Sequence, residues 1–263
     1  MIATLVAAVA LAAFRQDAPC TFRLIASVET VKPGASFWVA GEYTMKPEWH
    51  VYWLNPGDSG LPTTLDIQLP EGWAIGKLQW PAPHRFDAAG LINYGYERKV
   101  LLMAEVQTPA TAKPGSYALA AKASWLACKE EYVPGQGQGT VNVTVGDALR
   151  PSSDAAVFES FRKELPLRTK LTGRATPTTE GYRLEVQPLG DRAPDEAYFY
   201  AASGEALSHS AKQAVSWSGG KLVLDVKRSE YSSKTPKELR GVLVVVWGKE
   251  RSAYEVSLGA LSR

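Results

Sequence analysis

The segment WHVYWLNPGDSG, residues 49–60, holds a tetrapeptide, GDSG, of the kind found around the nucleophile of serine proteases, with His50 nine residues before Ser59. A serine attacks only when a histidine takes its proton and an acid orients that histidine, so the motif needs partners. The chain does not supply them in a workable order. With a mature start near Ala13, only the 46 residues from Ala13 to Asp58 precede Ser59, too few for a barrel carrying the His and the Asp. Pro56 fixes φ and Gly57 admits positive φ, so Asn55-Pro56-Gly57 reads as a turn in which Asp58 and Ser59 bond backbone N–H groups. We expect no serine protease here.

Other chemical patterns are weaker. Ser160-Phe161-Arg162-Lys163 matches S-x-x-K, but neither S-D-N nor K-T-G follows it. His50, His84 and His209 are scattered, and no pair has a ligand spacing such as C-x-x-C or H-x-x-x-H, so neither a metal nor a cofactor is expected. Asn142-Val143-Thr144 is a formal glycosylation sequon inside a strand pattern. Cys128 is the remaining candidate, a redox thiol if its thiolate is stabilised. Lys129 favours that thiolate while Glu130 and Glu131 oppose it, which leaves a reactive thiol and a buried structural cysteine both open.

These side chains must be positioned by an exported fold. The run Ile2 to Phe14 is too short to span a bilayer and suits a secretory signal, with Ala10-Leu11-Ala12 as the small-x-small cleavage pattern. Residues 1–12 are read as the signal peptide, and the mature chain, which has no later membrane span, as periplasmic or secreted. Export and an even cysteine count allow Cys20 and Cys128 to pair. That bond would close a loop of roughly 100 residues, for which chain entropy gives about 4.7 kcal/mol.

Alternation of period two, broken by Gly and Pro turns, dominates the sequence. Phe22-Leu24-Ala26, Trp49-Val51-Trp53, Leu65-Ile67-Leu69, Val100 to Val106, Tyr117 to Trp125 and Thr140 to Val145 read as strands of a β-sandwich or barrel over residues 20–147. Phe158, Phe161 and Leu165 fall at helical spacing, placing a short connecting helix in 151–166. Alternation resumes in Tyr182-Leu184-Val186 and Leu222-Leu224-Val226. The run Gly241 to Trp247 reads as a strand buried on both faces, so 167–263 forms a second, smaller β domain. The class is all-β. Twenty-nine Lys and Arg against 27 Asp and Glu leave a net charge of +2, which gives no footprint for nucleic acid.

The segments WHVYWLNPGDSGLPT, LQWPAPHRF, GLINYGYE and SWLACKEEYVPG, in this order, resemble the N-terminal periplasmic domain of the thiol:disulfide interchange protein DsbD, in particular its ScsB-like branch. The tail from residue 150, with EAYFY and LRGVLVVVWG, is similar to the β region that follows in that branch. The resemblance implies an immunoglobulin-like β-sandwich with no chemistry at Ser59. It implies exchange partners, either an extracytoplasmic redox protein or a membrane thiol reductase. Eight Trp and eleven Tyr exceed what a bland core needs, and Trp53, Tyr94, Tyr96, Trp125 and Tyr132 are the candidates for a binding surface, with burial in the core as the favoured alternative for such aromatics. The family's cysteine pair falls in a segment like W-L-x-C-K-E-E-C-x-P-G. Cys128 matches the first cysteine and Tyr132 stands at the second. Since a resolving thiol is needed to release a mixed disulfide, the expectation is a non-catalytic binding or accessory module of thiol–disulfide exchange. The alternative is an active interchange protein in which Cys20 partners Cys128. The sequence carries no polytopic membrane region or thioredoxin-like region after residue 263, so the chain is not expected to run the relay alone.

Overall fold

The computed structural model describes residues 18–88, 90–168, 171–232 and 235–260; the expected signal segment lies outside them. The first twelve strands are β1 (Cys20–Ala26), β2 (Val28–Val31), β3 (Ser36–Met45), β4 (His50–Gly57), β5 (Thr64–Gln68), β6 (Ala74–Ile75), β7 (His84–Ala88), β8 (Leu91–Glu97), β9 (Lys99–Gln107), β10 (Gly115–Cys128), β11 (Tyr132–Val145) and β12 (Arg150–Pro151). They form two sheets, one ordered β1-β3-β9-β6 and the other β12-β2-β11-β10-β4-β8-β7, with β5 beside β10. The alternation explains the sandwich. Val39, Tyr43, Leu102 and Val106 from one sheet and Val51, Trp53, Leu119 and Trp125 from the other are buried in its core.

Two boundaries differ from the sequence reading. Strand β4 runs through Asn55-Pro56 to Gly57, because its register against β8 breaks in a bulge between Tyr52 and Gly57 that absorbs the proline. Strand β11 begins at Tyr132 rather than Thr140. Its glycines hid it. A Cβ on Gly135 would stand 2.3 Å from the Trp125 ring and one on Gly137 2.7 Å from Phe22, so these glycines make room for core aromatics rather than end a strand.

Helix α1 (Ala155–Arg162) is more than a connector. Ile25, Ala40, Leu101 and Met103 present an apolar outer face on the first sheet, and α1 covers it with Phe158. Asp154 before the helix makes no cap bond and instead takes Arg23 at 2.8 Å.

The remaining strands are β13 (Thr172–Pro177), β14 (Gly181–Gln187), β15 (Glu196–Ala201), β16 (Ala214–Ser218), β17 (Lys221–Lys227), β18 (Glu238–Trp247) and β19 (Glu250–Ala260). They form one sheet ordered β15-β18-β19-β13-β14-β17-β16. Strand β18 is buried on both faces, as its sequence indicates. Leu239, Leu243 and Val245 enter a core cluster formed by this sheet, whereas Val242 and Val244, with Tyr200 and Ala253, join the core cluster that contains Trp53 and Tyr94 of the sandwich. The sandwich and this third sheet therefore share a continuous apolar seam. No helix among the described residues is long and apolar enough to cross a membrane.

Candidate functional site

The β10–β11 hairpin sets the geometry around Cys128. The strands pair from Gly115 with Val145 to Cys128 with Tyr132, so the last pair before the turn at Lys129-Glu130-Glu131 puts these two residues across from each other. On the other flank β4 places His50 opposite Cys128 and Val51 opposite Ala127. Opposed residues share a face of the sheet. Val51 and Ala127 enter the core, so Cys128, His50 and Tyr132 lie on the outer face.

That face is nonetheless covered, and Cys128 is only 5% exposed. His50 is also buried, stacked on Phe86 with ring centroids 4.8 Å apart and edge-on to Tyr52 at 5.1 Å. Burial lowers the His50 pKa, which favours the neutral imidazole, and Nε2 has no hydrogen-bond partner in the protein. It supplies no cation for a thiolate. Lys129, the adjacent cation, is paired with Glu48 at 2.8 Å. The Tyr52 hydroxyl makes no hydrogen bond of standard geometry, yet it stands close enough to Cys128 and Ser59 for both to act on its ionisation. Burial first, and then the neighbouring thiol, push its pKa up.

The Asn55–Gly60 loop, which is the bulged end of β4 and the turn that follows it, closes the site from one side. Asn55 Oδ1 accepts the Gly57 N–H at 3.0 Å, and Asp58 Oδ2 accepts the Ile92 N–H at 2.8 Å, the turn chemistry expected of this segment. Ser59 behaves differently from its expected role. Its hydroxyl donates to Asn93 Oδ1 at 2.9 Å and accepts from Tyr132 at 3.0 Å. Asp58 pairs with His209 rather than His50. Ser59, His50 and Asp58 form no triad.

Cys20 stands apart from this face. It opens β1 opposite Met45, 3% exposed, in the core cluster with Tyr43 and Trp125. Burial pushes its thiol up to about 12. Both cysteines are free thiols, and the expected Cys20–Cys128 bond is not made. The physical reason is orientation, since Cys20 points into the sandwich and Cys128 out of it. Of the aromatics assigned to a binding surface, Trp53, Tyr94, Tyr96 and Trp125 are buried, and only Tyr132, 49% exposed, can meet a partner. Trp53 packs edge-on to Tyr200 across the seam, Tyr96 donates to the Pro81 carbonyl at 2.7 Å, and Trp125 stands edge-on to Tyr43. Among the described residues no three His, Cys, Asp or Glu side chains gather as a metal ligand set.

The family described as "Thiol:disulfide interchange protein DsbD, N-terminal" matches residues 22–140. Residues 22–140 are a DsbD N-terminal-like domain. Among solved structures, the N-terminal periplasmic domain of ScsB from Proteus mirabilis aligns with a TM-score of 0.62 at 14% identity, over 90% of this chain and 92% of that one. The likeness in fold therefore takes in the β13–β19 sheet as well as the DsbD N-terminal-like sandwich. Lower likenesses are to BcpA*(D312A), the major pilin subunit of Bacillus cereus (TM-score 0.30, 10% identity, 93% and 66% covered), and a family 123 glycoside hydrolase from Clostridium perfringens (0.29, 10%, 50% and 28%). No curated protein matches the chain. Nothing in the sequence marks His50, Tyr52, Phe86 and Asn93 as the surroundings of Cys128 and Ser59, apart from the alternation His50-x-Tyr52 opposite the Trp49-Val51-Trp53 set for the first two.

Proposed function

We propose that this protein is an exported accessory or binding module of extracytoplasmic thiol–disulfide exchange and does not itself cycle between dithiol and disulfide. The observation that carries the reading is the pairing of Cys128 with Tyr132, where the family pattern has its second cysteine. A mixed disulfide at Cys128 would have no neighbouring thiol to resolve it, and Cys20 faces the core. The partner is an extracytoplasmic redox protein or a membrane thiol reductase. Leu61, Leu91 and Tyr132, exposed around the Asn55–Gly60 loop, are the apolar contacts offered to it.

The test is a thiol count of the purified mature protein, native and denatured, before and after reduction, alongside exchange with a thioredoxin-like donor. Two free thiols in every state and no turnover are expected. A Cys20–Cys128 bond together with rapid exchange would overturn the reading in favour of an active interchange protein. N-terminal sequencing of the expressed product checks export, with cleavage expected after Ala12.

A further inference from the structure

His209 belongs to the β15–β16 connection of the second domain, yet its ring is engaged by the sandwich. Nδ1 lies 3.0 Å from Asp58 Oδ1, Nε2 lies 3.5 Å from Asn55 Nδ2, and the ring stands edge-on to Tyr94 at 5.3 Å. The network assigns the neutral tautomer with its proton on Nδ1. Nδ1–H then donates to Asp58 and Nε2 accepts from Asn55. The Asn55 amide is used fully, because it also donates to the Ala201 carbonyl at 2.7 Å and accepts from Gly57. Asn55 and His209 are buried and Asp58 stands at the solvent edge of the network; a satisfied polar network fixes geometry, and breaking it strands the buried members.

The same loop reaches the Cys128 face. Asp58 is bonded to both the backbone N–H and, through its own N–H, the carbonyl of Ile92. The next residue, Ser59, accepts from Tyr132, the residue across from Cys128. Gly60, at φ +95°, lies so close on the Tyr52 ring that a Cβ there would be 2.4 Å away, and the Tyr52 hydroxyl adjoins Cys128.

We infer that His209 is a positioning residue for the Cys128 face: the second domain grips the Asn55–Gly60 loop through His209, and that loop holds Tyr132 and Tyr52 against Cys128. The inference rests on the reading of Cys128 as the family's redox position, and it gives the second domain a task, control of access to that thiol. Loss of the grip loosens the loop and exposes Cys128 without any change at the thiol itself.

The experiment is iodoacetamide labelling of the full mature chain, with Cys128 and Cys20 peptides quantified separately by mass spectrometry. His209→Ala and Asp58→Ala are each expected to speed Cys128 labelling about tenfold, the factor that one lost net hydrogen bond amounts to, while Cys20 stays protected and so reports an intact core. Tyr132→Phe should give a similar gain, and His209→Ala added to it should give little more, because both act through one loop. An unchanged Cys128 rate in His209→Ala, or rates that multiply in the double variant, would overturn the inference. If His209→Ala unfolds the chain, Cys20 labels too, and Tyr132→Phe and His209→Asn then carry the test. Labelling needs no redox partner, so its outcome is separate from the donor-exchange assay that tests the proposed function.

Discussion

Cys128 and Tyr132 are the last paired residues of the β10–β11 ladder, and that pairing fixes what a second thiol at position 132 would do. Opposed residues of an antiparallel ladder have Cα atoms about 4.5 to 5.5 Å apart, within the roughly 4.4 to 6.8 Å that a disulfide spans. Tyr132→Cys is therefore expected to bond to Cys128 under mild oxidation and to cycle with a thioredoxin-like donor, since the new thiolate can attack a mixed disulfide at Cys128 and release the partner as a thiol. Mass spectrometry of non-reduced peptides and donor turnover check both steps. Two thiols that stay free in oxidising glutathione would mean that the hairpin does not hold the pair at bonding distance.

Ser59 is expected to matter for stability and not for hydrolysis. Ser59→Ala deletes its hydroxyl bonds to Asn93 and Tyr132 but leaves the Ser59 N–H on Asn93 Oδ1 at 3.2 Å. The cost should be about 0.5–2 kcal/mol in urea denaturation. A fluorophosphonate probe should label neither protein, and capture of Ser59 by that probe would reverse the assignment.

The sequence made the β architecture legible because many of its strands bury one side. Tyr182, Leu184 and Val186, and Leu222, Leu224 and Val226, alternate with less buried neighbours as a half-buried surface requires, whereas in β4 Tyr52 between Val51 and Trp53 is buried too. It also located Cys128 and the missing partner thiol, since a hairpin motif is local. What it could not show was how non-local elements meet. His209 lies 151 residues from Asp58, and nothing near either residue marks the pair. The Gly135 and Gly137 positions read as breakers because the Trp125 and Phe22 rings that need the space come from other strands. Nor does the sequence mark Trp53 and Tyr94 as core, as the seam that buries them is a contact with residues of β15, β18 and β19 far along the chain.

Glu42 links β1 to β3 and to the end of β9. Its buried carboxylate takes Arg23 at 2.6 and 3.3 Å and Lys99 at 3.0 Å. Burial raises its pKa, but the hydrogen bonds and charges of Arg23 and Lys99 outweigh that and hold it below the ordinary 4.5. A lowered folded pKa contributes stability that is present above the unfolded value and is lost as pH falls through the folded one. Glu42→Gln should thus cost about 1.5–3 kcal/mol at neutral pH and flatten the loss of Tm below pH 4.5. A variant whose Tm falls with acid as steeply as the parent would show that other carboxylates set the acid limb.

Cys20 gives the opposite sign at the alkaline end. Its folded thiol is held up to about 12 by burial, against an ordinary value of 9.0. Above pH 9 the unfolded chain releases this proton while the folded chain keeps it, so the unfolded state binds fewer protons and stability declines as pH rises. The decline from this one group should approach about 1.4 kcal/mol per pH unit. Between pH 9 and 10 it is the cleanest contribution, because the tyrosines titrate from an ordinary value of 10.0 and buried Tyr43 is pushed still higher, first by burial and then by Cys20 itself. Cys20→Ala is expected to lower stability at neutral pH by removing a core sulfur and to lessen the slope of unfolding free energy between pH 9 and 10. Urea denaturation at several pH values reads both effects. Equal slopes in the two proteins, or rapid native labelling of Cys20 by iodoacetamide at pH 8, would show that this thiol is not sealed in the core.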